Sequence, residues 1–338
     1  MSLTIMDIAL KAGTSKSTVS RYLNGDSVSQ QTAEKIRKVI LRTGYNPNVN
    51  ARRLVKNQSF MLGVIFDDIA NYTYGGMLDG VQKTAWAKGY GCLFLSRATD
   101  RREESAYLDL IASSTVDGLI LVTLSRRDPA LTQRLWDSGL PVVLVGDGAG
   151  CVSLPQVDVD NEMGTFQEIE HLISLGHRRI AYLKGPDSMP AALSREGGDK
   201  KALEKHGIPI DPALIVQTGW SVEEAYRAVR SLCREQRFTA LAASNAYAAY
   251  GSFQALGDAG LRVPQDVAVA GFDDDPLLEY VRPGITTIRQ PLSVMGAAAV
   301  DMLVARLTGS EKTLSFQCIQ PELIQRGSTV KGLEGERL

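Results

Sequence analysis

TIMDIALKAGTSKSTVSRYLNG, residues 4–25, is the stretch on which the reading of the fold turns. Thr4 stands three residues before Asp7, the pattern of a helix cap answered by an acid, and Ile5, Ile8 and Ala9 recur at helical spacing. A first helix is therefore predicted to about Lys11, with Gly13 ending it. Ser15 can cap a second helix that turns Val19 and Leu23 inward and leaves Lys16, Ser17, Ser20 and Arg21 on its polar side. Asn24-Gly25 signals a turn, after which Ser29 can cap a third helix carrying Ala33, Ile36, Val39 and Ile40 at core spacing, stopped at Gly44. Three short helices with a tight turn before the second describe an all-α helix-turn-helix head over residues 1–45, whose second helix suits the major groove.

Charge supports that reading. Through Asn57 there are ten Lys and Arg against three Asp and Glu, a balance of +7, whereas the remainder carries −8 within an overall −1. A basic module is a natural phosphate binder, although a solvated basic face has the same composition. The 338 residues, 44% hydrophobic and 22% charged, suffice for two or three domains. No apolar run approaches the roughly 20 residues needed to span a bilayer, and no secretory signal is visible, so a cytoplasmic protein is expected. Cys92, Cys151, Cys233 and Cys318 are far apart, and His171, His177 and His206 form no cluster, so neither disulfides, metal nor cofactor is expected.

Residues 46–58 form a linker. Asn46 can cap, Pro47 suits the first helical position, and Asn48 to Leu54 allow about two turns, too few to hold alone. From Phe60, buried-strand runs alternate with helix-like segments: LGVIFDD, a helix from Met77 to Ala87, GCLFLS, a helix from Leu108 to Ala112, DGLILVT and PVVLVGD. A second series starts at HRRIAYLKG and continues through a helix near Lys200 to His206, LIVQTGW, a helix near Val222 to Cys233, ALAAS and VAVAGFDD. An α/β core of two doubly wound parallel-sheet lobes follows, over residues 59–338. The N-lobe takes about 59–158 and 290–318, the C-lobe about 159–289 and 319–330, and 331–338 is a tail. Ligands of such sheets sit beyond the carboxyl ends of the strands. Asp67, Asp68, Asn71, Tyr74, Thr123, Ser125 and Asp147 collect there in the first lobe, and Trp220, Ser244, Asn245 and Asp273 in the second.

The opening stretch, followed by TGYNPNVNARRL, LGHRRIAYLKGP, GLRVPQDVAVAGFDDDP and ITTIRQP, resembles the LacI/GalR family of bacterial transcription regulators along nearly the whole chain. The resemblance implies a type I periplasmic-binding-protein-like core and a homodimer, acting as a repressor on a pseudo-palindromic double-stranded operator. It places Lys16 and Ser17 at base-reading positions and Arg21 at the helix's far end, with Thr4, Ser15, Thr18, Ser20 and Asn24 as further DNA contacts. In the linker it makes Asn48, Ala51 and Arg52 minor-groove or phosphate contacts and Leu54 a wedge between base steps, where the plainer reading starts the next domain's core at Leu54. It places Arg195 at the family's ligand-binding arginine and Trp220 at a stacking position, and with Gln290 and the strand-end residues Asp68, Asn71, Tyr74, Ser125, Asp147, Asn245 and Asp273 these are the expected effector contacts.

An indole can cover the C–H face of a sugar while Arg195 and Asp273 bind hydroxyls, so a sugar-like effector is favoured and a nucleobase stays open. Plainer readings make Trp220 lobe-surface packing, Arg195 a solvated charge at a helix start, Asp273 a turn carboxylate and Tyr74 core filling. The chain also departs from the family pattern, with DDIANYTY in place of an asparagine-proline-aromatic run, Asn245 where an acid is usual, and Asp199 after Gly198 where an aromatic is common. A glycosidase would use the same carboxylates as acid and base, but nothing in the sequence separates one acid from another by environment, and no Ser/His/Asp or phosphate-loop motif accompanies them. A phosphorylated carrier protein is the alternative cue to a small molecule.

Overall fold

The computed structural model describes residues 3–23, 26–45, 58–66, 74–96, 113–122, 133, 137, 139, 141–146, 154–235, 237–310 and 315–330. Contacts divide the chain into Met1–Phe60 and Met61–Leu338.

In the first unit, α1 (Ile5–Ala12), α2 (Lys16–Leu23) and α3 (Gln30–Thr43) enclose a small core of Ile8, Ala9, Ala12, Val19, Ile36 and Val39. Local chemistry sets the boundaries. Thr4 and Asp7 form a reciprocal capping box, with Thr4 N–H donating to Asp7 Oδ2 at 2.8 Å and Asp7 N–H to Thr4 Oγ1 at 3.4 Å. Gly13, at φ +63°, takes the left-handed turn between α1 and α2 that a side chain would resist. Ser15 Oγ accepts from Thr18 N–H at 3.1 Å, and Ser29 Oγ from Thr32 N–H at 3.4 Å.

The second unit holds two sheets. The N-lobe sheet has the order β11-β5-β4-β3-β1-β2 and is parallel throughout, built from β1 (Met61–Phe66), β2 (Gly91–Ser96), β3 (Gly118–Val122), β4 (Val142–Val145), β5 (Gln156–Val159) and β11 (Phe316–Ile319). The C-lobe sheet has the order β12-β10-β9-β8-β6-β7: β6 (Ile180–Lys184), β7 (Ile215–Gln217), β8 (Ala240–Ala243), β9 (Ala268–Phe272), β10 (Thr286–Arg289) and β12 (Glu322–Ile324), the last antiparallel to β10. Buried runs such as GLILV and AVAGF have both faces covered, which is why they read as continuous apolar stretches.

Helices α4 (Gly75–Ala87) and α9 (Leu292–Leu307) pack together in the N-lobe; α5 (Asn161–Ser174) pairs with α6 (Pro190–Lys205) and α7 (Val222–Glu235) with α8 (Ala246–Asp258) in the C-lobe. Among the described residues the chain crosses between lobes three times, from β5 to α5, from β10 to α9 and from β11 to β12.

Several elements differ from the expectation. β5 and α5 fall where no element is expected, because the polar-apolar alternation of QVDV is only four residues long and does not stand out from its neighbours. α6 begins at Pro190, well before Lys200. Its Gly197-Gly198 pair looks like a break, yet a Cβ on Gly198 would stand 2.2 Å from Glu162 O and 2.8 Å from Phe166 N, so the glycine lets α5 and α6 approach. Only Ile215–Gln217 of LIVQTGW is strand. The Leu108–Ala112 helix lies outside the described residues.

Candidate effector cleft and DNA-reading helix

The carboxyl ends of the strands from both lobes meet at a cleft lined by Tyr74, Met77, Val122, Val145, Asp158, Val159, Leu292 and Met295 from the N-lobe side. Opposite them stand Asn161, Ala191, Arg195, Trp220, Asn245, Tyr247, Asp273 and Gln290. Of the ten residues expected to contact an effector, six are described, and all six line this one cleft. Asp68, Asn71, Ser125 and Asp147 lie outside the described residues.

Arg195 organises the C-lobe wall. It projects from the interior of α6 and is 2% exposed, which removes the reading of a solvated charge at a helix start. Its Nε donates to Asn161 Oδ1 at 2.8 Å, Nη1 donates to the Ser244 carbonyl, and Nη2 lies 3.3 Å from Asp273 Oδ1. The guanidinium also lies 3.7 Å from the Phe272 ring centre and 5.5 Å from that of Trp220. A buried cation is tolerable only with such pairing.

Trp220 is half-buried, and its Nε1–H donates to Ser244 Oγ at 3.0 Å. Its ring lies against Gly185, where a Cβ would come within 2.1 Å of Nε1, so only glycine leaves the indole its place. Asp273 accepts from Gln290 Nε2 at 2.6 Å on the oxygen nearest Arg195. Asn245 uses its oxygen to cap α8, accepting from Ala248 N–H at 2.8 Å, which leaves its NH₂ for a ligand. Tyr74 is both core and wall: it is 3% exposed, with its ring 5.0 Å from Phe66.

Backbone strain gathers here too. Trp220, Asp273 and Asp274 have φ of 58°, 87° and 47°, three of the five left-handed non-glycine residues among those described. Such conformations persist where surrounding structure enforces them, commonly at binding sites. Asp158, Asn161 and Tyr247 complete the wall and were not among the expected residues. Asp158 and Asn161 flank the carboxyl end of β5, so recognising QVDV as a strand would have exposed them by the strand-end rule.

On the head, Thr4, Ser15, Lys16, Ser17 and Arg21 are exposed, Thr18 and Ser20 half-buried. Lys16 and Ser17 open α2, whereas Arg21 donates from Nη2 to the Ser27 carbonyl at 2.6 Å and keeps other donors for DNA. Asn24, Asn48, Ala51, Arg52 and Leu54 lie outside the described residues. Among the described residues, no helix is long and apolar enough to cross a membrane, and no cluster of His, Cys, Asp and Glu is arranged to hold a metal.

Comparison with known proteins gives these features a lineage. Residues 4–48 match the family model described as bacterial regulatory proteins, lacI family, and residues 169–329 match a periplasmic binding protein-like domain. The HTH-type transcriptional regulator DegA of Bacillus subtilis is 31% identical across 97% of this chain and 98% of its own. The HTH-type transcriptional repressor CytR of Escherichia coli is 33% identical across 96% of each. Among solved structures, a Lac repressor dimer bound to operator and the anti-inducer ONPF superposes with TM-score 0.82 at 27% identity, covering 98% of this chain and all of that one. A complex of the regulator CelR with cellobiose gives 0.74 at 30% identity, covering 96% and 99%. The chain therefore belongs to the LacI family of bacterial regulatory proteins, DNA-binding transcription regulators with a helix-turn-helix head and a periplasmic-binding-protein-like core.

Proposed function

We propose that this regulator is a homodimeric repressor that binds a pseudo-palindromic operator and is controlled by an uncharged, sugar-like effector held in the cleft. The observation that carries the effector reading is the C-lobe wall. An indole fixed by Gly185 and Ser244 stands beside an Arg195–Asp273 pair that already balances its own charge, with the Asn245 amide nearby. That arrangement offers a stacking face and paired donors and acceptors to hydroxyl groups without calling for an ionic ligand. The cellobiose complex of CelR supports the same class.

On DNA, Lys16 and Ser17 read base edges, aided by Arg21 and by Thr4, Ser15, Thr18, Ser20 and Asn24 on the backbone. One head spans few base pairs, so two-fold symmetry supplies the matching half-site. Asn48, Ala51 and Arg52 approach the minor groove, and Leu54 wedges a central step. Calorimetric titration with mono- and disaccharides, nucleosides and a phosphorylated carrier protein tests the effector class. A saccharide response is expected, and a response confined to nucleosides or the carrier overturns it. Selection from random DNA should return paired inverted half-sites; a lone asymmetric half-site would defeat the dimer.

A further inference from the structure

Behind Arg195 the C-lobe encloses polar groups that the cleft does not use. Glu168 on α5 is 0% exposed and Asp199 on α6 is 1% exposed. Asp199 Oδ2 is buried without a hydrogen-bond partner, and both Glu168 oxygens, the Tyr182 hydroxyl and Thr165 Oγ1 are buried with no well-formed bond, Glu168 facing only the Ala243 backbone N–H and Tyr182 only the Thr165 hydroxyl. The Gly198 contact brings α5 and α6 together beside them. An ionised carboxylate in such a place is far more costly than a protonated one. Burial pushes Asp199 up to about 7, with Glu196 adding to the rise and Lys200 opposing it. Burial likewise pushes Glu168 well above the carboxylate range, Asp199 reinforcing it while Arg195 opposes and Asp273 adds a smaller rise.

The surroundings are specific. α6 presents Arg195 and Asp199 to Glu168, β6 presents Tyr182, and the end of β9 presents Asp273. α5 itself adds Thr165, and β8 offers apolar side chains with the Ala243 backbone N–H, which favours the Glu168 carboxylate and partly opposes the effect of burial. The charged groups of β10 and β12, Arg289 and Glu322, are occupied with each other and with Asp274. Asp199 also lines a recess with Arg178, Leu203, Ile208 and Asp211, the last paired with Arg179, that has room for about one water molecule, a route by which its proton can reach solvent.

We propose that Glu168 and Asp199 are positioning residues that hold protons beneath Arg195 and make the cleft responsive to pH. While both are neutral, Arg195 is matched by Asp273 alone and the wall is set for an uncharged ligand. When Asp199 releases its proton to water in the recess, its charge stands beside Glu168, which faces Arg195, and alters the support of the wall that Trp220 shares. The effector consequence rests on the function proposed above; the titration itself does not.

The test uses the full chain with Trp86→Phe and Trp136→Phe, which leaves Trp220 as the sole indole, and follows its emission from pH 5.5 to 8.5 without any ligand. A transition with its midpoint within about one unit of 7 is expected, and Asp199→Asn should abolish it. No transition in the parent, or the same transition in Asp199→Asn, overturns the proposal. Should Asp199→Asn fail to fold, carbon-13 carboxyl resonances of the parent decide. Two carboxyls still protonated at pH 6 support the pair, and complete ionisation by pH 6 sinks it. Because no effector is added, a failed effector screen and a failed titration are separate results.

Discussion

The two walls of the cleft are built on opposite principles. Among the described residues, the N-lobe wall is largely apolar: Met77, Val122, Val145, Val159, Leu292 and Met295 continue the core of that lobe outward. The C-lobe wall is a wired polar surface in which Arg195 joins Asn161, Ser244 and Asp273, and Asp273 in turn joins Gln290. The polar side is already ordered by its own hydrogen bonds, so under the proposed function little ordering entropy would remain to be lost there on binding. The apolar side contributes area and excludes water, which strengthens the hydrogen bonds opposite.

Substitutions should separate the walls. The largest effect is expected from Arg195→Ala, which strands the Asp273 carboxylate and should lower stability by about 3–5 kcal/mol, as breaking a buried ion pair does. Urea unfolding would measure it, and a loss under 1 kcal/mol would mean that Asp273 is satisfied by Gln290 alone. The next concerns protons. Asp199 binds its proton more tightly folded than unfolded, so its burden on the fold is absent below pH 4 and grows until the pH passes its folded value of about 7. Asp199→Asn should therefore gain on the parent by about 1.4 kcal/mol per pH unit between roughly 5 and 7. Parallel unfolding series would show a constant offset if the carboxyl were already ionised throughout.

On ligand binding the walls should differ in degree. Asp273→Ala removes charge-assisted hydrogen bonds and should weaken the effector by about 1.5–3 kcal/mol. Val145→Ala, opposite, removes two methyl groups and should cost about 1 kcal/mol of affinity. Equal losses by calorimetry would show that both walls recognise by area alone.

Sequence made the head legible to within a residue or two, because Thr4, Gly13, Ser15, Ser29 and Gly44 act on their own neighbours. The strand-end rule likewise named Tyr74, Trp220, Asn245 and Asp273, which the structure brings to one cleft, and Arg195 and Gln290 came from family resemblance. What escaped is what depends on distant partners. Glu168 sits in QEIEHL, which reads as a solvated helical face until α6 covers it. Gly197-Gly198 reads as a helix end until α5 is seen against it. Asp199 was visible only as a departure from the family pattern, and its burial gives that departure physical content.

The three crossings between the lobes carry a consequence for inheritance. Neither lobe is one continuous piece of gene: the N-lobe sheet takes β11 from near the end of the chain, and the C-lobe sheet closes with β12 beyond it. A single recombination event between relatives could exchange the head, which forms a compact unit of its own within Met1–Phe60, and leave both partners foldable. The same event placed between β5 and α5 would join a sheet to strands that co-evolved elsewhere, so the DNA-binding head can be traded by one splice while the cleft must change residue by residue.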